Sequence, residues 1–361
     1  MQFVLDADPA DLPTISKIAD QIGYDTHLNA CLKGDQHERL VVAAIGWATF
    51  MFTYRAGDSD QHCIAIQQAD PQTLKRLTAA IRTTSTRRPG HFLRSLELLD
   101  DLSDGETSQD RLLYLATLNY WSLKNIGNLH ITWVPHISQH LKLDVTTRTL
   151  YLFQYPTLCA LHCLGGTMNE YFTRLLSDYY PVDPPVSQPL EATTVHREIL
   201  LSFRLLFGQL GKAKRRARRG PPLRWKKTGP LLSLPPQELA FLLKCVLPRS
   251  PDPVYRSFWP PSVVTAKGTL TNQEFYAPWV DFRVFGSRLC EVQKYNESQR
   301  PTRVRKMWRD RRDPARWCTV WVVMVLGILS LILSACQLAV GAGQLAVALK
   351  PPSDDKGSKA G

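Results

Sequence analysis

The sequence lacks the patterns by which most enzymes are identified. Its 361 residues contain no G-x-S-x-G elbow, no phosphate-binding loop, no dinucleotide-binding glycine pattern and no kinase signature. Its eight cysteines are scattered, which argues against a small disulfide-stabilised domain. The first residues, MQFVLDADPADLP, lack a basic start followed by an apolar core and do not predict a signal peptide. We therefore expect the main part of the chain in a reducing cytosol, with no cofactor and no catalytic residue.

Acidic residues are scarce in the second half of the chain. The chain has 44 basic residues (Lys and Arg) and 32 acidic ones (Asp and Glu). Residues 1–200 contain 16 basic and 22 acidic residues, so residues 201–361 contain 28 basic and 10 acidic ones. The formal net charge of +12 therefore arises after residue 200. Such an asymmetry is typical of a segment that faces a polyanion, either nucleic acid or anionic lipid.

Charge is missing altogether between Trp317 and Leu349. This run is longer than the about 20 apolar residues with which a helix crosses a hydrocarbon layer of about 30 Å. It does not alternate polar with apolar residues, as a helix packed on a protein surface would. We predict a transmembrane helix over residues 317–343, followed by a short polar tail over residues 344–361.

The residues on either side of this run predict its orientation. A dense group of arginines precedes it, whereas the tail carries three lysines and two aspartates. Because positive residues stay on the cytoplasmic side, the large N-terminal part should face the cytosol, as in a single-pass, tail-anchored protein. The sequon Asn296-Glu297-Ser298 should then stay unglycosylated. The residues predicted at the membrane interface are Arg309, Arg311, Arg312, Arg316, Trp317 and Trp321.

Small residues recur every four positions inside the predicted membrane helix, at Ala335, Ala339 and Gly343. This spacing lets two helices approach closely and would favour a homodimer. The alternative is that small residues are simply common in membrane helices. The sequence leaves both open.

A second basic run, Lys212–Lys227, contains no acidic residue and has Pro-Pro in its middle. It could be a solvated linker, a contact with the anionic cytosolic leaflet in which Trp225 enters the interface, or a nuclear import or nucleic-acid signal. The predicted membrane helix favours lipid over nucleic acid. The candidate contact residues are Lys212, Lys214, Arg215, Arg216, Arg218, Arg219, Arg224, Trp225, Lys226 and Lys227.

The remaining sequence is mainly helical in pattern. Helices are predicted over Pro71–Thr84, Thr107–Asn125 and Thr194–Leu210, and the last should place Arg197 and Arg204 on its polar face. The uncharged run Leu40–Tyr54 is short for a membrane span and predicts a core element.

Three short segments rich in β-branched and aromatic residues predict strands, at residues 128–133, 140–144 and 149–155. The second and third should form a hairpin. The predicted fold class is therefore mainly α with a small β hairpin or sheet (α+β), plus one C-terminal transmembrane helix. We divide the first part into a domain over residues 1–210, a basic linker over 211–230 and a C-terminal part over 231–316.

Histidine and cysteine form one loose cluster in the sequence. His136 and His140 are four residues apart, and Cys159, His162 and Cys163 lie together in CALHC. They could make a four-ligand zinc site. However, no Cys-x2-Cys pair is present, the predicted strand would separate the two histidines, and CALHC lies in an apolar run. The pattern favours a packed core, and we predict no metal ligand.

Parts of the chain resemble a large group of uncharacterised filamentous-fungal membrane proteins. In that group Phe-x-Val-[Phe/Leu]-Gly-x-Arg-Leu precedes Trp-Arg-Asp-Arg-Arg-x-Pro-x-x-Trp and a membrane helix, as at Phe282–Leu289 and Trp308–Trp317 here. NLHITWVPHISQHLKLDVTTRTLYLFQYP and LLSFRLLFGQ resemble central segments of the same group. The likeness covers roughly residues 105–340, without Lys212–Lys227. It implies a fungal integral membrane protein and carries no activity or catalytic residue with it.

These patterns favour a tail-anchored membrane protein that is a non-enzymatic, cytosol-facing interaction or adaptor protein. Its expected partners are the lipid bilayer and a protein that the sequence does not identify. Two alternatives stay open. One is a membrane-bound enzyme with a His/Cys site that holds zinc. The other is a nuclear-envelope protein that uses residues 212–227.

Overall fold

The structure is a computed structural model that describes residues 13–25, 35–55, 63–65, 87–100, 112–165, 167–180, 190–209, 230–248, 259, 263–299 and 314–348. The chain divides into two units, Met1–Arg300 and Pro301–Gly361, and each is described by itself. The predicted helix Pro71–Thr84 and the basic run Lys212–Lys227 lie outside the described residues.

The first unit is mainly helical in its described part. Its α-helices are α1 (Ile15–Asp25), α2 (Asp35–Thr49), α3 (Pro89–Ser95), α4 (Leu115–Leu118), α5 (Tyr120–Asn125), α6 (Pro156–Cys163), α7 (Thr167–Tyr179), α8 (Ala192–Phe203), α9 (Pro236–Phe241), α10 (Pro278–Asp281) and α11 (Gly286–Ser298). Helices α8 and α9 continue into π-helical turns over Arg204–Gly208 and Leu242–Val246. Short 3-10 helices occupy Ile137–Gln139 and Pro230–Ser233.

The strands of the described residues form three small sheets. They are β1 (Thr53–Arg55), β2 (Cys63–Ala65), β3 (Leu113–Tyr114), β4 (His130–Val134), β5 (Leu143–Asp144), β6 (Thr149–Phe153) and β7 (Phe275–Tyr276). Antiparallel pairs join β1 to β2 and β3 to β7. The third sheet has the order β4-β6-β5, in which β4 is parallel to β6 and β5 antiparallel to it. The predicted α+β class is confirmed, as is the predicted hairpin, which is β5–β6.

Helix α8 is the centre of the first unit. Its predicted apolar face is buried, with Val195, Ile199 and Phe203 fully covered. The predicted polar face is wrong at Arg204, which has no exposed surface at all. Residues 198–207 are buried without interruption, so the second part of the helix has no solvent-facing side, whereas Thr193, Thr194 and Arg197 in its first part are half-buried.

Arg204 tolerates this burial because its charge has backbone partners. Its guanidinium donates to the carbonyl of Pro248 at 3.1 Å and to that of Thr271 at 3.1 Å. The guanidinium carbon also lies 6.0 Å from the centre of the Trp259 ring, within range of a cation–π contact. A buried charge held in this way is compatible with a protein core.

The single helix predicted over Thr107–Asn125 is not continuous. Its first part lies outside the described residues, and Leu113–Tyr114 form strand β3. The rest is divided at Asn119, whose backbone is extended at φ −67° and ψ 148°. The Asn119 side chain accepts a hydrogen bond from the Ser122 N–H at 3.0 Å and so caps α5. Asparagine favours such caps over helix interiors, which explains the break.

The uncharged run Leu40–Tyr54 is a core element, as predicted. It supplies most of α2 and the turn after it, and its apolar residues Val41, Val42, Ile45, Met51 and Phe52 are buried. Each such side chain stabilises the fold by about 1.5–3 kcal/mol relative to exposure.

Trp133 on β4 connects two distant parts of the first unit. Its indole N–H donates to the Pro230 carbonyl at 2.8 Å and to the Ser233 hydroxyl at 3.0 Å. The ring also packs against Phe203 and Phe207, with centroid distances of 6.0 and 6.5 Å. The chain segments before and after the undescribed residues 210–229 therefore meet at one tryptophan.

In the second unit, the described residues form one long helix, α12 (Pro314–Ala348). Its 35 residues extend for about 52 Å at about 1.5 Å per residue. Proline at the first position is typical of a helix start, because the missing N–H has no partner there in any case.

Candidate membrane-spanning segment and buried polar sites

Helix α12 contains the one stretch of the described residues that is long and apolar enough to cross a membrane. It runs from Trp321 to Leu345, 25 residues whose most apolar run of 18 has a mean hydropathy of 2.4, and no part of that run is buried. Leu331 and Leu338 expose 72% and 79% of their surfaces. Burial of a leucine side chain is worth about 1.5–3 kcal/mol relative to exposure in water. A helix with so many exposed leucines is therefore more stable in a hydrocarbon layer than in water.

The helix was predicted over residues 317–343. In the structure it is longer at both ends and runs over Pro314–Ala348. Arg316 and Trp317 lie in its first turn, and Trp321 lies where the apolar stretch begins. The other predicted interface residues, Arg309, Arg311 and Arg312, lie outside the described residues. Their placement at the cytosolic headgroups stays a prediction.

The small residues of the predicted dimer stripe lie within α12. Ala335, Ala339 and Gly343 are exposed, and a Cβ added at Gly343 would meet no atom within 4 Å. The spacing of one residue in four places them along one side of the helix. This geometry leaves room for a close helix partner, and the homodimer stays a prediction.

In the first unit, Arg288 on α11 is the centre of a buried polar network. Its guanidinium donates to the Asp100 carboxylate, with Nε 2.9 Å from Oδ2. It also donates to the backbone carbonyls of Ser138 at 2.8 Å, His140 at 2.7 Å and Leu98 at 3.2 Å. Burial alone would raise the pKa of Asp100, but the Arg288 hydrogen bond and charge outweigh it, and the pKa is lowered. The network fixes α11 to the β4–β5 connection.

His140 is fully buried and has both ring nitrogens in use. Nδ1 accepts a hydrogen bond from the Phe153 N–H at 3.1 Å, so Nε2 carries the proton and donates to the Ser202 hydroxyl at 2.9 Å. The Ser202 hydroxyl in turn donates to the Ile199 carbonyl at 2.7 Å. Burial, and then the positive charge of Arg288, hold the pKa of His140 well below its ordinary value. The ring is therefore a neutral structural group.

Glu198 on α8 caps the beginning of α11. Its carboxyl accepts hydrogen bonds from the backbone N–H groups of Val284 at 3.0 Å and Phe285 at 3.0 Å. Burial raises the pKa of Glu198 to about 8, although these N–H groups favour the charged form. A helix N-terminus attracts a carboxyl group, so this contact orients α11 against the central helix.

The residues of CALHC also lie in the core. His162 on α6 stacks on His196 of α8, with ring centroids 4.3 Å apart and planes 7° apart. Burial lowers the pKa of both histidines. Burial also raises the pKa of Cys163 to about 12 and that of Cys159 well above its ordinary value. These thiols are protonated at neutral pH and are poor nucleophiles in that form.

The described residues do not bring three His, Cys, Asp or Glu side chains together as a metal site. His140 is committed to Phe153 and Ser202, and the stacked rings of His162 and His196 face each other rather than a common point. The geometry therefore lends no support to a zinc site built from His136, His140 and CALHC.

Three segments of the first unit, residues 128–156, 200–209 and 282–289, contact one another. His140 belongs to the first segment, Ser202 to the second, and Arg288 to the Phe282–Leu289 motif. His140 bonds Ser202 through its ring and Arg288 through its backbone carbonyl. The motif before the membrane helix is therefore core structure in this chain, and its arginine is a packing residue.

Sequence reasoning missed Glu198 and Arg288 as the residues that organise the core. The partners of Glu198 lie 86 and 87 residues away in sequence, and Asp100 lies 188 residues from Arg288. The one available signal was a charged residue inside an otherwise apolar segment, as in HREILLSF and FGSRLC.

The sequon at Asn296 is unsuitable as a test of orientation. Asn296 lies inside α11 with no exposed surface. Its amide donates to the Thr117 carbonyl at 2.7 Å and to the Ser122 hydroxyl at 2.9 Å. In the folded protein it is unmodifiable on either side of a membrane, so an unglycosylated Asn296 does not indicate the side.

Comparison of the chain with protein-family models, with curated proteins and with solved structures gave no match.

Proposed function

We propose that the protein is a single-pass membrane protein of the tail-anchored type whose α+β unit faces the cytosol and acts as a non-enzymatic adaptor for a protein partner. The observation that carries this proposal is the apolar stretch Trp321–Leu345, none of which is buried among the described residues. Lipid is the environment in which its exposed leucines are stable.

The cytosolic orientation rests on the charges beside α12. Arginines are dense before Trp317 and the tail after Leu349 is close to neutral, which by the positive-inside rule retains the first unit in the cytosol. The resemblance to fungal membrane proteins supports a membrane location as well, since its motif directly precedes this helix.

The adaptor role rests on how the first unit uses its polar residues. Glu198, His140 and Arg288 are buried, and each is held by partners from distant segments. Groups held in this way stabilise a fold but do not reach a substrate. No observation favours the zinc enzyme or the nuclear-envelope protein over the adaptor.

The membrane proposal is tested with the full chain tagged at its N-terminus and expressed in cells. We expect it in the pellet after alkaline carbonate extraction, and the chain truncated before residue 314 in the supernatant. In sealed microsomes, an external protease should digest the N-terminal tag and leave a C-terminal tag intact. Extraction of the full chain by carbonate would refute the anchor, and the opposite protection pattern would refute the orientation.

The adaptor proposal is tested by proximity labelling from the full chain, with α12 fused to an unrelated soluble domain as the matched control. We expect at least one protein labelled reproducibly by the full chain and not by the control. The proposal is wrong if no such protein is found and the purified full chain turns over a substrate.

A further inference from the structure

Strand β4 is the longest open sheet edge in the part of the chain that the structure describes. It lies at one side of the sheet β4-β6-β5, and its five residues extend for about 16 Å at about 3.3 Å per residue. The other edge strand of that sheet, β5, has two residues, and the pairs β1–β2 and β3–β7 extend over three and two residues. An open edge presents backbone groups to which another strand can bond, and β4 presents the longest such row.

Half of the backbone groups of β4 are used by its neighbour β6. The His130 N–H donates to the Arg148 carbonyl at 2.8 Å, directly before β6. Because alternate residues of a strand bond the same neighbour, Thr132 also faces β6, whereas Ile131 and Trp133 face the free side. Within the described residues, neither of these two makes a main-chain hydrogen bond. The edge therefore offers two N–H donors and two carbonyl acceptors at the spacing of a strand.

The apolar face of this sheet is incompletely covered along β4. Leu150 and Leu152 on β6 are fully buried, whereas Ile131 and Trp133, which lie opposite them on β4, are half-buried. The other face of β4 is polar and is exposed at Thr132. An added strand with apolar residues at alternate positions would cover the half-buried pair and keep its polar residues in water.

A cationic group lies beside the polar face of β4. The Lys124 ammonium lies 3.3 Å from Nδ1 of His130. This charge, and then burial, lowers the pKa of His130, so the ring is neutral at pH 7 and its Nδ1 accepts from Lys124. The described residues place no carboxylate against Lys124. An acidic side chain on the added strand would complement this charge, whereas a second copy of β4, with the sequence HITWV, supplies none.

We propose that β4 binds an extended segment of a partner protein as an additional strand of the sheet. The segment bonds Ile131 and Trp133 through its main chain, covers their exposed parts with apolar side chains, and places an acidic side chain beside Lys124. In such an addition the main-chain bonds supply affinity and the side-chain contacts supply selectivity. The inference rests on the proposed adaptor role and names the kind of segment that the partner contributes.

The test uses the full chain in detergent and the labelled heptapeptide TVTVEVT, in which valine alternates with polar residues and one of these is glutamate. We expect binding by fluorescence polarisation, and slower amide hydrogen exchange at Ile131 and Trp133 in the bound state. Thr132, whose N–H already faces β6, is the internal control and should exchange equally in both states. Absence of binding, or unchanged exchange at both Ile131 and Trp133, would overturn the proposal.

A peptide variant and a chain variant test the main-chain contact. TVTPEVT, in which proline interrupts the strand, should bind about tenfold more weakly than TVTVEVT, because it lacks a donor. I131P removes one N–H on the free side of β4, where a sheet tolerates proline, and should weaken binding of TVTVEVT by about tenfold. Equal binding of the two peptides by the wild type would overturn the strand geometry.

The charge contact is tested by a variant outside the strand. K124Q should weaken binding of TVTVEVT several-fold and leave that of TVTVQVT unchanged. Because this variant leaves β4 intact, it keeps the proposal falsifiable where I131P fails to fold. Equal affinity of wild type and K124Q for TVTVEVT would overturn the acidic selectivity.

The same variants separate the edge from the adaptor role and from self-association. A protein labelled equally by the full chain and by I131P in proximity labelling would support an adaptor that uses another surface, and would overturn the role of β4. A change from dimer to monomer in I131P, with no peptide bound by the wild type, would assign the edge to a second copy and overturn the proposal as well.

Discussion

Helices α8 and α12 are both rich in apolar residues, yet they meet opposite surroundings. The second part of α8 and the turn after it, residues 198–207, are buried without interruption, and they include Glu198, Ser202 and Arg204 together with apolar side chains. In α12 none of the stretch Trp321–Leu345 is buried in the described part of the chain, and that stretch contains no charged residue. A protein core can accept a charge because nearby backbone groups satisfy it, whereas hydrocarbon offers no such partner.

The two hydrophobic helices are alike in their apolar residues and differ in their charged ones. A charge inside an apolar run indicates a core helix with partners elsewhere in the chain. A run without charge and without cover indicates lipid. Three of the four predictions below change the charge content of one of these two environments, and the fourth removes a neutral cap elsewhere in the first unit.

The largest effect is expected from removing the charge of the enclosed helix. R204M leaves the carbonyls of Pro248 and Thr271 buried without a donor, and each such loss costs about 1–3 kcal/mol. We expect the free energy of unfolding to fall by about 2–6 kcal/mol in chemical denaturation. R94M, at an exposed site on α3, is the control and should change it by about 0.5 kcal/mol or less. Equal effects of the two variants would contradict the role of the carbonyl partners.

The second prediction places an arginine in the other helix. L331R puts a charge near the middle of the apolar stretch of α12, at an apparent cost of about 2.5–3.5 kcal/mol. A substantial fraction of the chain should then become extractable by alkaline carbonate. L345R, at the end of the stretch, should be integrated almost normally, because its side chain reaches the interface. Full integration of L331R would show that α12 does not lie in hydrocarbon.

The third prediction concerns pH and Glu198. Its pKa of about 8 in the folded protein lies above the ordinary value of 4.5, so the folded state binds more protons between these values. Stability contributed by this group therefore declines as pH rises from about 4.5 to 8 and changes no further above that range.

The variant E198Q tests this dependence by removing the titrating group while retaining an acceptor for the N–H groups of α11. The difference in unfolding free energy between wild type and E198Q should shift against the wild type between pH 5 and pH 8. His140 and His196, whose pKa values are lowered, destabilise both proteins alike as pH falls below 6.5, so the difference isolates Glu198. A difference that is constant with pH would refute the raised pKa.

The smallest effect is expected at the break between α4 and α5. N119A removes the cap on the Ser122 N–H and should lower the unfolding free energy by about 1 kcal/mol. N119S retains a hydroxyl acceptor without placing a charge at this buried position, and it serves as the control. Equal losses in both variants would show that the cap does not stabilise this break.

The sequence was most informative where one local property decides the structure. Absence of charge was sufficient to predict α12, and short aromatic segments bounded by Pro135 and Pro156 were sufficient to predict the β5–β6 hairpin. These features depend on neighbours within a few residues, so their patterns are visible in the sequence.

The remaining structure depends on contacts between distant segments, which periodicity does not show. The parallel pairing of β4 with β6, the burial of Arg204 and the capping of α11 by Glu198 are of this kind. The amphipathic pattern of α8 was interpreted as one buried and one solvent-facing side, because a sequence does not show that neighbours cover both. The candidate interface residues were predicted from the charges before the apolar run, and this pattern gives which residues flank the helix but not their contacts.

The tryptophan shared by two chain segments has a consequence for how this molecule can vary. Trp133 packs against Phe207 and bonds Pro230, so the departure and return of residues 210–229 are fixed independently of what lies between. Doubling the number of residues between two fixed ends raises the entropic cost of loop closure by only about 0.6 kcal/mol. A change in the number of residues between these two ends should therefore cost the fold little, because the contacts that hold both ends lie outside the stretch.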